Sequence, residues 1–172
     1  MLFRSHFDVK TPAANYFARH VVLAIGRRGT PRKLEVTGED QTKVMYQLVD
    51  AQSYTDQHVL VVGGGDSAVE AAVGLAKQPG NTVTVSYRKS SFFRVKKKNE
   101  DAMTRFISGH KLTAIFDSQV IEIKEKSVVL QTKDGLQEIP NDYVIVQVGG
   151  TPPFEMLRDM GIAFGGEMKA LV

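Results

Sequence analysis

The residues with the clearest chemical potential are the glycines and small residues at positions 63–68. They are Gly63, Gly64, Gly65, Asp66, Ser67 and Ala68, which fit the pattern G-x-G-x-x-A. In that pattern the first glycine makes a tight turn, the second lets backbone N–H groups approach a pyrophosphate, and the last residue lets a helix pack closely. The N-terminus of such a helix offers free N–H groups and partial positive charge to phosphates. The string therefore predicts a phosphate-binding loop, in which Ser67 adds a hydroxyl.

A group of cations follows at the position where a dinucleotide-binding unit meets the adenosine ribose. An NAD-specific unit carries Asp or Glu there, about 20 residues after the glycines, because a carboxylate binds the 2′-hydroxyl. Ser86 stands 23 positions after Gly63, and neither it nor the next three residues is acidic. A guanidinium binds a 2′-phosphate through two parallel hydrogen bonds, whereas a carboxylate repels it. We predict an NADP(H) site formed by Ser86, Tyr87, Arg88, Lys89 and Arg94; the alternative is a solvated basic loop.

Three predicted elements position these two groups of residues. Residues 58–62 are a continuous apolar run typical of a buried parallel strand. Residues 66–78 have helical spacing that ends at Pro79-Gly80, and residues 82–87 are a second strand rich in β-branched side chains. The glycine string alone is a weak signal, but this βαβ context makes it a strong one. A merely tight turn between strand and helix is the structural alternative.

The rest of the chain predicts further short elements around this unit. Residues 1–40 read as two extended pieces, residues 44–51 are compatible with a short helix, and residues 97–108 and a stretch ending at Arg158 read as helices. Short strands are predicted at 112–116, 119–124, 128–132, 136–139 and 143–148, with a hairpin turn at 133–135. The predicted fold class is α/β: a Rossmann-like NAD(P)-binding domain with a central parallel sheet flanked by helices, plus a small antiparallel β-meander.

These motifs resemble a known family. Residues 61–70 read VVGGGDSAVE and residues 86–94 read SYRKSSFFR, which is similar to the NADPH-binding domain of low-molecular-weight thioredoxin reductases. Thioredoxin-reductase-type ferredoxin–NADP reductases and bacillithiol-disulfide reductase-like flavoproteins share the resemblance. Residues 24–26 (AIG) resemble the family's crossover from the flavin domain, and residues 146–153 (VQVGGTPP) resemble the return crossover. The resemblance covers nearly the whole chain and adds Gly149 and Gly150 to the expected cofactor-binding residues.

Some motifs of the family are missing from this chain, and their absence restricts the activity and cofactors that the resemblance implies. No CxxC lies between Gly38 and Gly63, which excludes the dithiol chemistry of thioredoxin reductases. The N-terminal G-x-G-x-x-G and C-terminal Gly-Asp motifs that bind FAD in the relatives are also absent. The expected organisation is a crossover segment at 1–40, an NAD(P)H-binding domain at 41–150 and a return crossover at 151–172. The expected cofactors are NADP(H) here and FAD in the full-length protein but not in this fragment, which alone is expected to be inactive.

Composition narrows the functional classes. The chain has 172 residues, 42% hydrophobic and 24% charged, and a net charge of +3, which fits one globular domain and does not argue for nucleic acid. Its apolar runs are far shorter than the roughly 20 residues of a membrane helix, and no signal peptide is seen. The absence of cysteine removes disulfides and thiolate metal sites. We expect a cytoplasmic protein with NADPH and the flavin domain of the parent chain as partners, and a homodimer as in the relatives.

Other chemistries have little support in the sequence. The Tyr-x-x-x-Lys of short-chain dehydrogenases and the Gly-Lys-[Ser/Thr] of P-loops are missing, and the four histidines have no ligand spacing. No metal site and no catalytic residue are assigned; Glu70 is a faint acid–base candidate for which a helix-surface or capping role is favoured. Two functions stay open. One is delivery of a hydride from NADPH to flavin, and the other is a non-catalytic NADP(H) sensor or scaffold.

Overall fold

The computed structural model describes residues 6–22, 24, 31–92, 95–150 and 154–161. The strands in this part of the chain are β1 (Phe7–Lys10), β2 (Asn15–Ala18), β3 (Val44–Met45), β4 (His58–Val62), β5 (Thr82–Tyr87), β6 (Thr113–Phe116), β7 (Gln119–Ile123), β8 (Ser127–Thr132), β9 (Gly135–Pro140) and β10 (Tyr143–Val146). The helices are α1 (Asp66–Leu75), α2 (Lys97–Ser108) and α3 (Phe154–Asp159). The predicted βαβ unit is therefore present as β4–α1–β5.

A five-stranded parallel sheet in the order β3-β10-β4-β5-β6 forms the centre of the fold. Its middle strand β4 is buried on both faces because alternate side chains pack into different layers. Val59 and Val61 pack with α1 and α2 in one hydrophobic cluster. Leu60 and Val62 pack in a second cluster with residues of the antiparallel sheet β7-β8-β9. The predicted fold class is confirmed, with helices on one face of the parallel sheet and the meander on the other.

The expected helix at residues 44–51 is wrong. Val44 and Met45 instead form the edge strand β3, which pairs in parallel with Val144 and Ile145 of β10. Only a 3-10 turn, Ala51–Ser53, follows, and the Asp50 side chain caps it by accepting a hydrogen bond from the Gln52 N–H. The physical reason is a pairing partner about 100 residues away, which overrides a weak local preference and cannot be seen in a short window of sequence.

The N-terminal residues form a separate two-stranded ribbon. β1 pairs antiparallel with β2, in agreement with the two extended pieces expected in this region. Of the two crossover motifs of the resemblance, residues 25–26 and 151–153 lie outside the described residues, whereas residue 24 and residues 146–150 lie within them. The division of the chain into crossover segments and a nucleotide-binding domain therefore stays a prediction.

The start of α2 is fastened to the start of α1 by one carboxylate. Lys96, the residue before α2, has no side-chain cap of its own. Asp66 Oδ1 accepts hydrogen bonds from the Lys96 N–H (2.9 Å) and from Asn99 Nδ2 (2.7 Å), and Asn99 Nδ2 also donates to Glu70 Oε1 (2.9 Å). The hydrogen bond from the Lys96 N–H, followed by that from Asn99, lowers the pKa of Asp66. Glu70 thus has the structural contact expected of a helix-surface carboxylate.

The contribution of this junction to folding stability should decrease at acid pH. Asp66→Ala should lower the urea midpoint of unfolding at pH 7, because an N-terminal backbone donor of α2 loses its acceptor. The lowered pKa of Asp66 means that its contribution is complete above the ordinary value of 3.8 and is lost as pH falls through the lower, folded-state value. The difference in midpoint between wild type and variant should therefore shrink as the pH is taken from 7 to about 3.

Asp134→Ala is the matched control. Asp134 lies in the exposed hairpin turn, and its carboxylate has no hydrogen bond or ion pair within the described ranges. Its removal should leave the pH dependence of the midpoint unchanged. An Asp66→Ala deficit that is the same at both ends of the pH range would contradict a contribution from the ionised carboxylate.

Candidate functional site: a cleft at the carboxyl edge of the parallel sheet

A cleft of about 910 Å³ opens where the strands β4, β5 and β10 end. This volume is within the range of roughly 300–1,000 Å³ that small-molecule sites occupy. The chain runs from β4 outward through β5 and β6, and β10 returns on the other side of β4. The carboxyl ends on either side of such a reversal are where open α/β sheets bind ligands. The cleft is lined by residues 32–34, 62–67, 86–89, 118–120 and 147–149.

Two glycines of the predicted phosphate loop are required by the packing of the turn itself. Gly63 has a φ of +141°, and a Cβ there would collide with the Gln147 carbonyl oxygen. A Cβ on Gly64 would collide with the ring of Tyr87. The Gly63 N–H also donates to the Ser86 carbonyl at 3.0 Å. These contacts hold the β4–α1 turn against the ends of both neighbouring strands.

Gly65 differs from the other two, because the protein's own packing does not require it. Its φ of −97° and ψ of 179° are open to any residue, and a Cβ there would meet no atom within 4 Å. Gly65 lines the cleft, so the empty space beside it belongs to the cleft. A pyrophosphate fits this arrangement, since it needs close approach to the backbone at the second glycine of the pattern.

The start of α1 supplies hydrogen-bond donors beside the same space. The first helical bond runs from the Val69 N–H to the Gly65 carbonyl at 3.1 Å, so the N–H groups at residues 65–68 have no acceptor within the helix. Ser67 is exposed and lines the cleft. Ala68 is fully buried and packs in the core, as expected of the small residue of the pattern. The Asp66 carboxylate is engaged at α2, so only the backbone of this residue remains for a ligand.

The cations predicted for the 2′-phosphate lie at the end of β5. Arg88 and Lys89 are exposed and line the cleft, and Arg88 makes no hydrogen bond or ion pair to another described residue. Tyr87 stacks on Phe92 with a centroid distance of 5.8 Å, and Phe92 packs edge-on against Phe116 at 5.1 Å. This aromatic stack fastens the loop that carries the cations. Arg94 lies outside the described residues.

Ser86 contributes to the frame of the site. Only 1% of its surface is exposed, and its Oγ lies 2.8 Å from the Ser118 Oγ. Ser118 Oγ donates to the Ile115 carbonyl at 2.7 Å, so the proton between the two hydroxyls comes from Ser86. The Ser118 N–H also donates to the Tyr87 carbonyl at 3.1 Å. The Ser86 hydroxyl therefore fixes the end of β5 and has no proton left for a ligand.

One wall of the cleft was missed by the sequence analysis. Arg32 and Lys33 line this wall, and they belong to the segment 1–40 that the family resemblance assigned to a crossover. The Arg32 N–H donates to the Gly149 carbonyl at 3.0 Å, and Pro31 forms an antiparallel bridge with Gly150. Gly149 also lines the cleft, whereas Gly150 serves this backbone pairing. The two adjacent cations were the available signal, but no periodic pattern connected them with the glycine loop.

The described residues contain neither a cluster of metal-binding side chains nor a membrane-spanning helix. No group of three or more His, Asp or Glu side chains there has an arrangement that could hold a metal ion. No helix in those ranges has the length and apolar character needed to cross a membrane.

Comparison with known proteins identifies relatives that match most of the length of this chain. A curated ferredoxin–NADP reductase from Ignicoccus hospitalis is 31% identical over 159 residues, which cover 88% of this chain and 50% of the relative. Bacilliredoxin reductase Bdr from Bacillus subtilis is 29% identical over 94% of the chain and 50% of its own length. The chain thus spans about half the length of the curated relatives it matches.

Solved structures give the same result. Bacillithiol disulfide reductase Bdr from Staphylococcus aureus has a TM-score of 0.83 and 32% identity, over 95% of this chain and 51% of that one. Thioredoxin reductase from Lactococcus lactis has a TM-score of 0.76 and 30% identity, over 94% and 55%. A family profile described as pyridine nucleotide-disulphide oxidoreductase matches residues 3–171. The chain therefore belongs to the pyridine nucleotide-disulphide oxidoreductase family.

Proposed function

We propose that this chain is the NADPH-binding domain of a flavin-dependent oxidoreductase. The observation that carries the proposal is Gly65, a loop residue that neither backbone conformation nor packing requires to be glycine and that borders open cleft. The free N–H groups at residues 65–68 and the position of the cleft at the strand-order reversal support the same ligand. The named activities of the curated relatives, which include ferredoxin–NADP reductases, add support from outside the chain.

Charge on the cleft wall supports NADP(H) over NAD(H). The lining residues include four cations and a single acid, Asp66, whose carboxylate is engaged at α2. A dinucleotide with a 2′-phosphate carries roughly four negative charges at neutral pH. In the proposed complex the pyrophosphate binds the N–H groups at the start of α1, and the 2′-phosphate binds Arg88 and Lys89, with Arg94 as a further expected ligand.

The role of the bound cofactor follows from what the chain lacks. A bound NADPH would supply a hydride for an FAD carried by the rest of the protein, and the residues of this domain would hold the nucleotide in position and neutralise its phosphates. The flavin site is placed outside the chain because the chain has one dinucleotide motif and spans about half of its relatives' length. A cytoplasmic location and a homodimer are further parts of this proposal. A non-catalytic sensor of NADP(H) would bind the same cofactor without that hydride transfer.

The preference between NADPH and NADH directly tests the role of Arg88 and Lys89. Arg88→Ala should weaken NADPH binding about tenfold or more and leave NADH binding nearly unchanged, because a charge-assisted hydrogen bond is worth roughly 1.5–3 kcal/mol. Titrating both nucleotides against wild type and variant measures the effect. Lys77→Ala removes an exposed cation that does not line the cleft and should alter neither affinity. Equal affinity of the wild type for NADPH and NADH would refute the assignment.

The phosphate loop is tested by filling the space beside Gly65. Gly65→Val should abolish binding of both nucleotides, and Gly65→Ala should weaken both, since each side chain occupies the region where the pyrophosphate approaches. The circular dichroism spectrum should stay that of wild type, because a Cβ at this position meets no atom within 4 Å. A folded Gly65→Val protein with normal NADPH affinity would show that the pyrophosphate binds elsewhere.

Hydride delivery is tested by comparing this chain with the longer protein that contains it. The 172-residue chain should be colourless, bind NADPH and leave it unoxidised with a dye acceptor, because transfer needs an acceptor within about 3–3.5 Å. The longer protein should bind FAD, and NADPH should bleach the flavin absorbance without oxygen. A longer protein that binds NADPH but contains no flavin would favour the sensor function instead.

A further inference from the structure

We propose that Arg32 and Lys33 form a second anion-binding pair, which holds the pyrophosphate from the nicotinamide side of the cleft. The inference rests on the proposed function and assigns to these residues a contact that is independent of the 2′-phosphate. They would therefore contribute to the affinity for both NADPH and NADH. Arg88 and Lys89, by contrast, would set the preference between the two nucleotides.

The pair lies on the β10 side of the parallel sheet, away from the cations that follow β5. Arg32 is hydrogen-bonded through its backbone to Gly149, which follows β10, whereas Arg88 follows β5. β4 and its glycine loop lie between these two strands. A dinucleotide binds across such a crevice, with its adenosine ribose at the end of the second strand of the βαβ unit. Arg32 and Lys33 consequently border the half of the cleft that receives the second phosphate and the nicotinamide ribose.

The segment that carries the pair is held from both sides, which gives the cations a defined place. Glu39 accepts hydrogen bonds from the N–H groups of Leu34 and Glu35 and from Tyr46 Oη. Burial by itself would raise the pKa of Glu39, but these hydrogen bonds lower it on balance, so the carboxylate is ionised at neutral pH. Burial and the bond to Glu39 raise the pKa of Tyr46 to about 12, so its hydroxyl stays a donor.

A second attachment lies a few residues further along. The Ile123 N–H donates to the Thr37 carbonyl at 2.8 Å, and the Gln41 side chain donates to the Ile123 carbonyl. With the Arg32–Gly149 bond, these contacts tie residues 31–41 both to the end of β10 and to β7. The backbone beneath the two cations is therefore fixed before a ligand arrives, which lowers the entropy cost of using them.

The charges around the pair also favour an anionic ligand. Neither the Arg32 guanidinium nor the Lys33 ammonium has an ion-pair partner within residues 31–92 and 95–150. The acid on the cleft lining, Asp66, already binds the start of α2. Glu39 and Asp40 border a neighbouring hollow with Lys33 but form no ion pair with it, and Glu39 already accepts two N–H groups and the Tyr46 hydroxyl. Two adjacent cations that form no ion pair in this part of the chain, beside a loop of free N–H groups, match an anion that enters the cleft.

The test measures binding of NADPH, NADH and 2′,5′-ADP, three nucleotides that contain different parts of the proposed ligand. The double variant Arg32→Ala, Lys33→Ala should weaken NADPH and NADH by the same factor, about five- to tenfold. It should leave binding of 2′,5′-ADP unchanged, because this nucleotide has the 2′-phosphate and the adenosine 5′-phosphate but neither the second phosphate nor the nicotinamide ribose. Arg88→Ala should give the complementary pattern, with weaker NADPH and 2′,5′-ADP and unchanged NADH.

Controls separate this pair from a general charge effect and from misfolding. Lys133→Ala, in the exposed hairpin turn, removes a cation outside the cleft and should change none of the three affinities. The exchange Arg32→Lys, Lys33→Arg should keep most of the NADPH affinity. Both Ala substitutions leave the Arg32 backbone bond intact, and unchanged circular dichroism verifies the fold.

Each outcome decides between named possibilities. If the double variant weakens 2′,5′-ADP as much as NADPH, the cations act through the general field of the cleft and the inference is wrong. If it changes no affinity while Arg88→Ala still reduces NADPH binding, the inference fails and the proposed function stands. If the wild type binds none of the three probes, the proposed function itself fails.

Discussion

The close approach of the β4–α1 turn to its two neighbouring strands is the constraint on which the rest of the site depends. Gly63 lies against the Gln147 carbonyl and Gly64 against the Tyr87 ring, and a side chain at either position would push these elements apart. Gln147 N–H donates to the Val62 carbonyl at 2.7 Å, which closes the same junction from the β10 side. Because the three strand ends are held at this distance, the start of α1, the cations after β5 and the segment beside Gly149 all border one cleft.

The layers behind the cleft make this edge rigid. Strand β4 is covered by helices on one face and by the meander on the other, and its four residues from Val59 to Val62 are buried. Hydrogen bonds also hold the edge of the cleft in place. The Ser86–Ser118 hydroxyl pair fixes the end of β5, and Asp66 fixes the start of α2. Several residues that line or support the cleft thus serve to hold other residues in place, and a smaller set is left to contact a ligand.

Much of this arrangement could be predicted from local sequence. The apolar run of β4, the glycine string, the helical spacing of α1 and the β-branched run of β5 lie within about 30 consecutive residues, the usual size of a βαβ unit. The resemblance to thioredoxin-reductase-like proteins extended this to the fold class. The misses involve contacts between distant residues. Val44 pairs with Val144, Arg32 with Gly149 and Ser86 with Ser118, and a single sequence carries no local mark of any of these pairs.

The antiparallel bridge between Pro31 and Gly150 has a consequence for the modular character of the domain. It brings together two points of the chain that about 120 residues separate along the sequence, and the cleft-lining loops lie between them. A unit whose two ends meet can be inserted into a host fold, because the host has to bridge only the gap between neighbouring strands. Residues 31–150 therefore have the geometry of an insertable segment, which a protein engineer could transfer between related folds while the cleft that it contains stays intact.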